Sequence, residues 1–122
     1  MKPPFEQTIT FLHTADLQAS ADFYERLLGL ELVRDQGVCR IYRASPSGLI
    51  GFCQHLEPSP PQGVILTLVS ADVDGWYEKL RKKGVEFTKT PGHHPQFGIY
   101  HCFFKDPNGY LLEIQRFDQP LE

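Results

Sequence analysis

Residues 103–117 read FFKDPNGYLLEIQRF and predict two short apolar strands joined by a tight turn. The turn is the DPNG of residues 106–109, where proline presets φ near about −65° and glycine supplies a positive φ. Glu113 stands between aliphatic neighbours in the second strand. Because successive strand residues face opposite sides of a sheet, Glu113 points away from the side that Leu112 and Ile114 occupy. This carboxylate faces either water or a ligand cavity, and the choice between them is the main functional question in the sequence.

Composition and charge exclude several classes of protein. The chain has 122 residues, the size of one ordinary domain, with 41% hydrophobic and 22% charged residues. Its net charge of −3 gives no reason to expect nucleic acid or an anionic membrane as a partner. No apolar run approaches the ~20 residues that cross a bilayer, and the N-terminal MKPPFEQ lacks the apolar run of a signal peptide. We therefore expect a cytoplasmic protein.

The cysteines predict a reduced protein. Cys39, Cys53 and Cys102 are odd in number, widely spaced, and form no CxxC pair. Cytoplasmic thiols are normally kept reduced, and a free cysteine commonly packs as a small apolar group. We expect all three side chains to be reduced and buried.

One pattern of elements occurs twice, in about residues 8–57 and 64–117. Each half predicts a strand, then a helix that starts after an aspartate and ends at a glycine, then three strands. Residues 58–63 are rich in proline and predict a linker. Each half then forms a small antiparallel sheet with one helix on one face. The predicted helices are Leu17–Leu28 and Val73–Lys83, the first strands are Thr8–Thr14 and Val64–Val69, and the last hairpin is Ile99–Lys105 with Tyr110–Phe117.

This repeat predicts both the fold and the place of a ligand. A unit of ~50 residues cannot bury both of its sheet faces alone. We expect the two uncovered faces to curl towards each other and to leave a cleft for a ligand. The predicted fold is α+β, with paired β-α-β-β-β modules that form a cupped open barrel in one domain of residues 1–122.

Motifs in both halves resemble those of a known superfamily. The first half contains ADL at 15–17, FY at 23–24 and LGL at 28–30, and the second contains KDPNG at 105–109 and LEI at 112–114. They are similar to the motifs of the vicinal oxygen chelate superfamily, which includes glyoxalase I, extradiol dioxygenases, and fosfomycin- and bleomycin-resistance proteins. The resemblance covers about residues 8–117 and implies the glyoxalase/bleomycin-resistance fold. It also implies a homodimer, but one fold hosts many reactions.

The resemblance implies four metal-ligand positions, on the first and last strands of each half. Counted from the motifs, they fall at Ile9, Gly51, Ile65 (or Val64) and Glu113. Isoleucine and glycine side chains offer no lone pair, whereas zinc, iron and manganese sites need three or four nitrogen or oxygen ligands. We therefore expect no cofactor, with a divalent metal as the alternative. The candidate ligands of such a metal are Glu113, His101 and His13.

Glu113 and His101 are the predicted catalytic residues. Glu113 is expected to act as a general base or polar anchor on the cavity wall, and the alternative is a structural acid with no part in catalysis. His101 shares a strand side with Phe103, so both are expected to line the cleft. The imidazole is predicted to be an acid–base partner or a ligand donor. The alternative is a packed histidine with one hydrogen bond.

Further ligand-binding candidates lie on other strands. Phe11 and His13 share a strand side and are expected to reach the cleft. Arg40 and Tyr42 share a face from which they could bind an anionic ligand, although a solvent-facing or dimer-facing strand is the alternative. The loop predicted for residues 90–98, which contains adjacent histidines, could form a lid or a solvated turn.

Three functions remain open from the sequence. The first is a metal-independent pocket for a small organic molecule, as in the drug-binding resistance members of the superfamily. The second is a glyoxalase I-like lyase, isomerase or epimerase in which Glu113 abstracts a proton next to a carbonyl. The third is a metal enzyme with His13, His101 and Glu113 as ligands. The expected partners are a small-molecule ligand and a second copy of the chain, with neither nucleic acid nor a membrane.

Overall fold

The computed structural model describes residues 2–58 and 60–121. Ser59, in the predicted linker, lies outside the described residues. The chain divides into two compact units, residues 1–60 (unit 1) and 61–122 (unit 2), and their boundary falls within the predicted linker. Each unit has the predicted order β-α-β-β-β, which confirms the α+β class. None of the helices in the described residues is long and apolar enough to cross a membrane.

Unit 1 contains an open four-stranded sheet in the order β1-β4-β3-β2. β1 runs parallel to β4, and the other neighbours are antiparallel. The prediction of an antiparallel sheet is therefore wrong for the first strand, because the chain crosses the sheet through the helix and comes back beside β1 in the same direction. The elements are β1 Thr8–His13, α1 Leu17–Ala21, a π-helical segment Asp22–Leu27, β2 Glu31–Asp35, β3 Cys39–Arg43 and β4 Gly48–Cys53.

The helical segment of unit 1 covers the sheet with an aromatic cluster. The Leu28 N–H donates to the carbonyl of Phe23 at 3.0 Å, five residues back, so the predicted single α-helix ends in a π-helical turn. Tyr24 in this segment is fully buried. Its ring centroid lies 4.4 Å from that of Phe52 and 6.3 Å from that of Tyr42. These rings form the core of the unit.

Unit 2 repeats the arrangement with the strand order β5-β8-β7-β6, and β5 is parallel to β8. The helix α2 begins after Asp72, whose carboxylate accepts from the Gly75 N–H at 2.9 Å. α2 is α-helical throughout and buries Val73 and Leu80. The elements are β5 Ile65–Val69, α2 Val73–Lys82, β6 Phe87–His94, β7 Ile99–Lys105 and β8 Leu111–Phe117.

The loop predicted for residues 90–98 is shorter than expected. β6 extends to His94, and His93 and His94 pair with Tyr100 and Ile99 of β7. Pro91 interrupts the ladder only locally, at a register shift between Lys89 and Gly92. Because β6 is an edge strand, the missing N–H of a proline is tolerated there. The two histidines therefore occupy fixed strand positions.

The DPNG turn forms as predicted between β7 and β8. Asp106 is 6% exposed, and its carboxylate accepts from the backbone N–H groups of Asn108 at 2.8 Å and Tyr110 at 2.9 Å. Gly109 has a φ of +89°, which glycine adopts without steric cost. This turn sets the register that brings β7 residues beside Glu113.

The predicted reduced state is wrong for two cysteines. Cys39 and Cys53 lie directly opposite each other on β3 and β4, with their Cα atoms 4.1 Å apart, and they form a disulfide. Their pairing follows from a hairpin that is symmetric about Pro46, a feature that spacing between cysteines does not reveal. Cys102 is a free thiol and is fully buried, as predicted.

Candidate functional site

Glu113 lies in the middle of the unit 2 sheet. Its Cα partners are Thr67 on β5 and Phe103 on β7. Its neighbours Leu112 and Ile114 are 1% and 2% exposed and occupy the opposite face of β8. Glu113 is itself only 7% exposed, so its carboxylate is a buried polar group that needs partners.

Both carboxylate oxygens of Glu113 have partners within unit 2. Oε1 accepts a hydrogen bond from the Thr67 hydroxyl at 2.9 Å. Oε2 lies 2.5 Å from Nδ1 of His101, and the two side chains are almost fully buried. We assign the hydrogen to Nδ1, which then donates to the carboxylate oxygen. The predicted base is therefore engaged by the protein itself.

The second ring nitrogen of His101 is the unpaired atom of this group. His101 is 3% exposed, and its Nε2 is buried without a hydrogen-bond partner among residues 2–58 and 60–121. With Nδ1 donating to Glu113, a neutral imidazole carries its lone pair on Nε2. An unpaired buried polar atom costs about 1–3 kcal/mol, so Nε2 is suited to a ligand that donates to it.

Aromatic rings surround this imidazole. The ring centroids of Phe103 and His94 lie 4.9 Å and 5.8 Å from that of His101. His94 in turn lies 4.7 Å from Phe97, which is 64% exposed in the turn between β6 and β7. Nδ1 of His94 is also buried without a partner in the described part of the chain. A row of rings therefore leads from an exposed turn to the buried histidine.

In unit 1, Phe11 and His13 lie on one face of β1. Phe11 is 45% exposed, and its ring occupies the space of a side chain at Gly51, since a Cβ built there would lie 2.5 Å from the ring. His13 is half-buried at the end of β1 and is the Cα partner of Cys53. The shared face predicted for Phe11 and His13 agrees with the register.

Arg40 and Tyr42 occupy the other face of unit 1, the one that the helical segment covers. Tyr42 is fully buried in the aromatic cluster, so its ring presents no exposed area to a ligand. Burial is the main cause that raises the pKa of the Tyr42 hydroxyl above its ordinary value. Arg40 is part-exposed, and its Nε lies 3.6 Å from Asp35. Their shared face is the one predicted, but this face forms a core in the structure.

Thr67 was not found by sequence reasoning. It lies within VILTLV, which reads as a continuous aliphatic strand. The available signal was its hydroxyl in the middle of an apolar run. Its importance depends on the parallel register of β5 and β8, which pairs it with Glu113, a residue 46 positions later in the chain.

The chain matches the family model of the Glyoxalase/Bleomycin resistance protein/Dioxygenase superfamily over residues 8–114, and it belongs to this family. Solved structures share its fold. They include a glyoxalase/bleomycin resistance protein/dioxygenase from Nocardioides, with 23% identity, a TM-score of 0.76, and coverage of 96% of this chain and 85% of the other.

Two further structures extend this comparison. A lactoylglutathione lyase from Agrobacterium tumefaciens has 20% identity, a TM-score of 0.74, and coverage of 94% of this chain and 96% of the other. TioX from Micromonospora sp. ML1 has 17% identity, a TM-score of 0.75, and coverage of 90% and 97%. At these identities the likeness shows the fold alone. A search of curated proteins gave no match.

The residues present do not fit the metal that membership of this superfamily implies. Ile9, Gly51 and Ile65 have no lone pair, and both oxygens of Glu113 are engaged by Thr67 and His101. Elsewhere in the described residues, three donor atoms of His, Cys, Asp or Glu lie within 4.8 Å of one another. This group does not include Glu113, His101 or His13. The chemistry around Glu113 is therefore that of a hydrogen-bonded acid–base pair.

Proposed function

We propose that unit 2 binds a small organic molecule at Nε2 of His101, without the metal that the family often uses. One observation carries this proposal: a buried imidazole is held at Nδ1 by Glu113, and its other nitrogen has no partner in the described residues. The lone pair on Nε2 can accept a hydrogen bond from a ligand hydroxyl or a proton from an acidic C–H, so we expect a ligand that carries one of these groups. In this role Glu113 is a positioning residue and His101 contacts the ligand.

The surroundings of His101 favour a ligand with a flat apolar part. Phe103 and His94 flank the imidazole, and Phe97 extends this row to the surface. Binding sites of this kind combine mostly apolar walls with a few polar groups that orient the ligand. Aromatic rings also stack on one another in offset or edge-to-face geometry, which adds about 0.5–1.5 kcal/mol for each pair.

A second candidate function is proton transfer next to a carbonyl group. The 2.5 Å contact between His101 and Glu113 is the arrangement of a base and its orienting group. Nε2 would take a proton from the carbon beside the carbonyl, and the nearby carboxylate would stabilise the imidazolium until the proton returns to the substrate. This is isomerase or lyase chemistry of the glyoxalase I kind, with His101 in the role first predicted for Glu113.

A thermal-shift experiment tests the binding proposal. Phenylpyruvate offers an aromatic ring, a carbonyl and an acidic C–H, and S-lactoylglutathione offers a hydroxyl. At 100 times its Kd a ligand stabilises the folded state by about 2.7 kcal/mol, which raises Tm. The shift should disappear in His101→Gln and persist in His93→Gln, whose ring packs on Tyr100 on the other face of β6. Equal shifts in all three proteins, or none in the wild type, would contradict the proposal.

Deuterium exchange separates binding from catalysis. In D2O, a proton-transfer enzyme should exchange the hydrogens on the carbon beside the carbonyl of phenylpyruvate, which proton NMR detects. His101→Gln should lower this rate by roughly 10²–10⁴-fold, and Glu113→Gln should lower it while the ligand still binds. A His101-dependent thermal shift with no exchange above the buffer rate would identify a binding protein.

Three predictions from the sequence belong to this proposal and can be measured directly. Elemental analysis of untagged, oxidised protein should find no stoichiometric transition metal, and one metal per chain that His101→Ala removes would contradict the metal-free site.

A homodimer should have a native mass near twice the 14.0 kDa of the chain. Cell fractionation should recover the protein in the cytoplasm.

A further inference from the structure

Unit 1 contains a cluster of soft donor groups that the proposed function does not use. The disulfide of Cys39 and Cys53 lies on the sheet face opposite the aromatic core, and Nδ1 of His55 lies 3.5 Å from Sγ of Cys39. The donor atoms of these three residues all lie within 4.8 Å of one another. We call them the thiol–histidine cluster.

The local structure brings these three side chains together. The Gln54 N–H donates to the Val38 carbonyl at 2.9 Å, so Cys39 and Cys53 form a non-hydrogen-bonded pair, in which cross-strand side chains are closest. β4 ends at Cys53, and the chain bends over residues 54–56, which places the His55 ring against Sγ of Cys39. The cluster is therefore produced by one strand pair and the two residues after it.

We propose that the thiol–histidine cluster, when reduced, is a binding site for zinc(II). Two thiolates and an imidazole are ligands that zinc prefers, and a fourth tetrahedral position would remain for water. With Zn–S near 2.3 Å and Zn–N near 2.0–2.1 Å, the edge between a sulfur and a nitrogen ligand is about 3.5 Å. The distance from Cys39 to His55 already has this length.

The sulfur atoms can adopt the spacing that zinc requires. Their Cα atoms are 4.1 Å apart, and a reduced pair can separate its sulfurs by rotating each side chain between staggered χ1 positions. Cys39 and Cys53 are buried, with exposed fractions of 5% and 1%, whereas His55 is exposed. A small cation can therefore reach the thiols from the side of the imidazole.

Cys39 and Cys53 can form the disulfide or bind zinc, but they cannot do both at once. A phosphine reductant replaces the S–S bond by two S–H bonds, takes its oxygen from water and becomes the phosphine oxide. Zinc(II) then displaces both thiol protons, so two protons are released for each ion bound. Oxidation of the pair removes both thiolates and with them the site.

A metal titration tests this proposal on the whole chain. Wild-type protein is reduced with a phosphine, freed of reductant, and titrated with cobalt(II) as a spectroscopic probe and then with zinc(II) in competition with a chromophoric chelator. We expect one ion per chain, sulfur-to-cobalt charge-transfer absorption in the near ultraviolet, and two protons released. The oxidised wild type, with an identical sequence, is the matched control and should show none of these.

Variants identify the ligands. Cys39→Ser and Cys53→Ser should lose the charge-transfer band. His55→Ala should weaken metal binding by at least roughly 10-fold, because even the loss of a residue that only hydrogen-bonds to a metal ligand lowers the affinity by about that much. Cys102→Ala should bind as the wild type does, since Cys102 lies in unit 2. Binding that is equal in the reduced and oxidised proteins, or unaffected by His55→Ala, would overturn the proposal.

A measurement on the wild type alone avoids any doubt about variant folding. Reduced protein is alkylated with iodoacetamide with and without zinc(II), and the modified peptides are identified by mass. Zinc should protect Cys39 and Cys53 and leave the reactivity of Cys102 unchanged. Unprotected Cys39 and Cys53 at saturating zinc would also overturn the proposal.

Discussion

Units 1 and 2 have the same strand order, yet the middle of each sheet holds different chemistry. Gly51 and Glu113 occupy corresponding positions on the last strand, beside Phe11 in unit 1 and Thr67 in unit 2. In unit 1 the Phe11 ring covers the glycine, and in unit 2 the carboxylate accepts from the threonine. The backbone therefore specifies the position, and the side chains alone decide whether a carboxylate or a ring occupies it.

The neighbouring position shows a second difference. Cys39 lies two residues before the cross-strand partner of Gly51, as His101 lies two residues before that of Glu113. In unit 1 this position carries a sulfur that forms a disulfide with Cys53, and in unit 2 it carries the imidazole that Glu113 holds. Both units therefore place a side chain with sulfur or nitrogen chemistry at the same point of the sheet.

Replacing Glu113 by alanine should cause the largest loss of stability. The change leaves the buried imidazole of His101 and the hydroxyl of Thr67 without their shared partner. Each buried donor left without a partner costs about 1–3 kcal/mol of the free energy of unfolding. Urea unfolding monitored by circular dichroism measures this value.

The matched control for this loss is Glu78→Ala on α2. Glu78 is exposed and pairs with Arg81 at 2.9 Å, so its replacement should cost about 0–1 kcal/mol. Thr67→Val removes only one donor to Glu113 and should cost about 1 kcal/mol. A loss below about 1 kcal/mol for Glu113→Ala would show that the pair contributes little to stability.

Adding one methyl group at Gly51 should disturb unit 1 by a smaller amount. The new Cβ would lie 2.5 Å from the Phe11 ring, which must move. Because the Phe11 ring is 45% exposed and can rotate aside, the change should cost about 1 kcal/mol, the lower end of the range for an extra carbon in a packed core. A double-mutant cycle with Phe11→Ala should recover most of the loss, because the ring is the group displaced. Additive effects of the two changes would show that Phe11 does not cover Gly51 in solution.

The buried thiol of Cys102 should make the folded protein less stable at alkaline pH. Burial raises the pKa of the Cys102 thiol to about 11, so the folded state holds the proton more tightly than the unfolded state does. Its contribution to stability is complete below the unfolded-state pKa and is lost as pH rises through about 11. At about pH 10 the loss is roughly 1 kcal/mol.

The control for this pH dependence is Cys102→Ala. Urea midpoints of the variant, measured from about pH 8 to 10.5, should decline less than those of the wild type. Parallel declines in the two proteins would assign the alkaline loss to other groups, such as the tyrosines.

The smallest effect is expected for Tyr42→Phe, which gives unit 1 the residue that unit 2 has at the corresponding position, Phe104. Both side chains are fully buried, and the Tyr42 hydroxyl lies beside the Arg40 side chain without a hydrogen bond of good geometry in the described residues. The change should alter the free energy of unfolding by less than about 1 kcal/mol, because no bond is broken.

The reciprocal change sharpens this prediction. Phe104→Tyr places a new hydroxyl in the core of unit 2 and should cost about 1–3 kcal/mol. Thermal unfolding of both variants compares them directly. A large loss for Tyr42→Phe would mean that its hydroxyl has a partner in solution.

Much of the fold could be predicted from local signals. The DPNG turn, the aspartates before the helices and the glycines after them mark the element ends, and the repeated pattern predicts β-α-β-β-β twice. Local signals failed where a neighbouring strand decides the outcome. The direction of β1, the extension of β6 to His94 and the π-helical end of the first helix all depend on packing against distant residues.

The site divides in the same way. Alternation along β8 was enough to place Glu113 on the face opposite Leu112 and Ile114, because side-chain direction in a strand depends only on parity. The partners of Glu113 could not be predicted, since Thr67 meets it through a parallel pairing 46 residues apart. The disulfide likewise needed the register of β3 and β4.

The amino-acid sequence by itself determined the elements, their order, the family and the side of the strand on which Glu113 lies, because these depend on periodicity, turn residues and short motifs. Only the tertiary structure decided that Glu113 is held by Thr67 and His101, that Nε2 of His101 has no partner among the residues described, and that Cys39 joins Cys53. The physical reason is that hydrogen bonds and disulfides depend on distances of a few ångströms across strands, which register sets and local sequence does not.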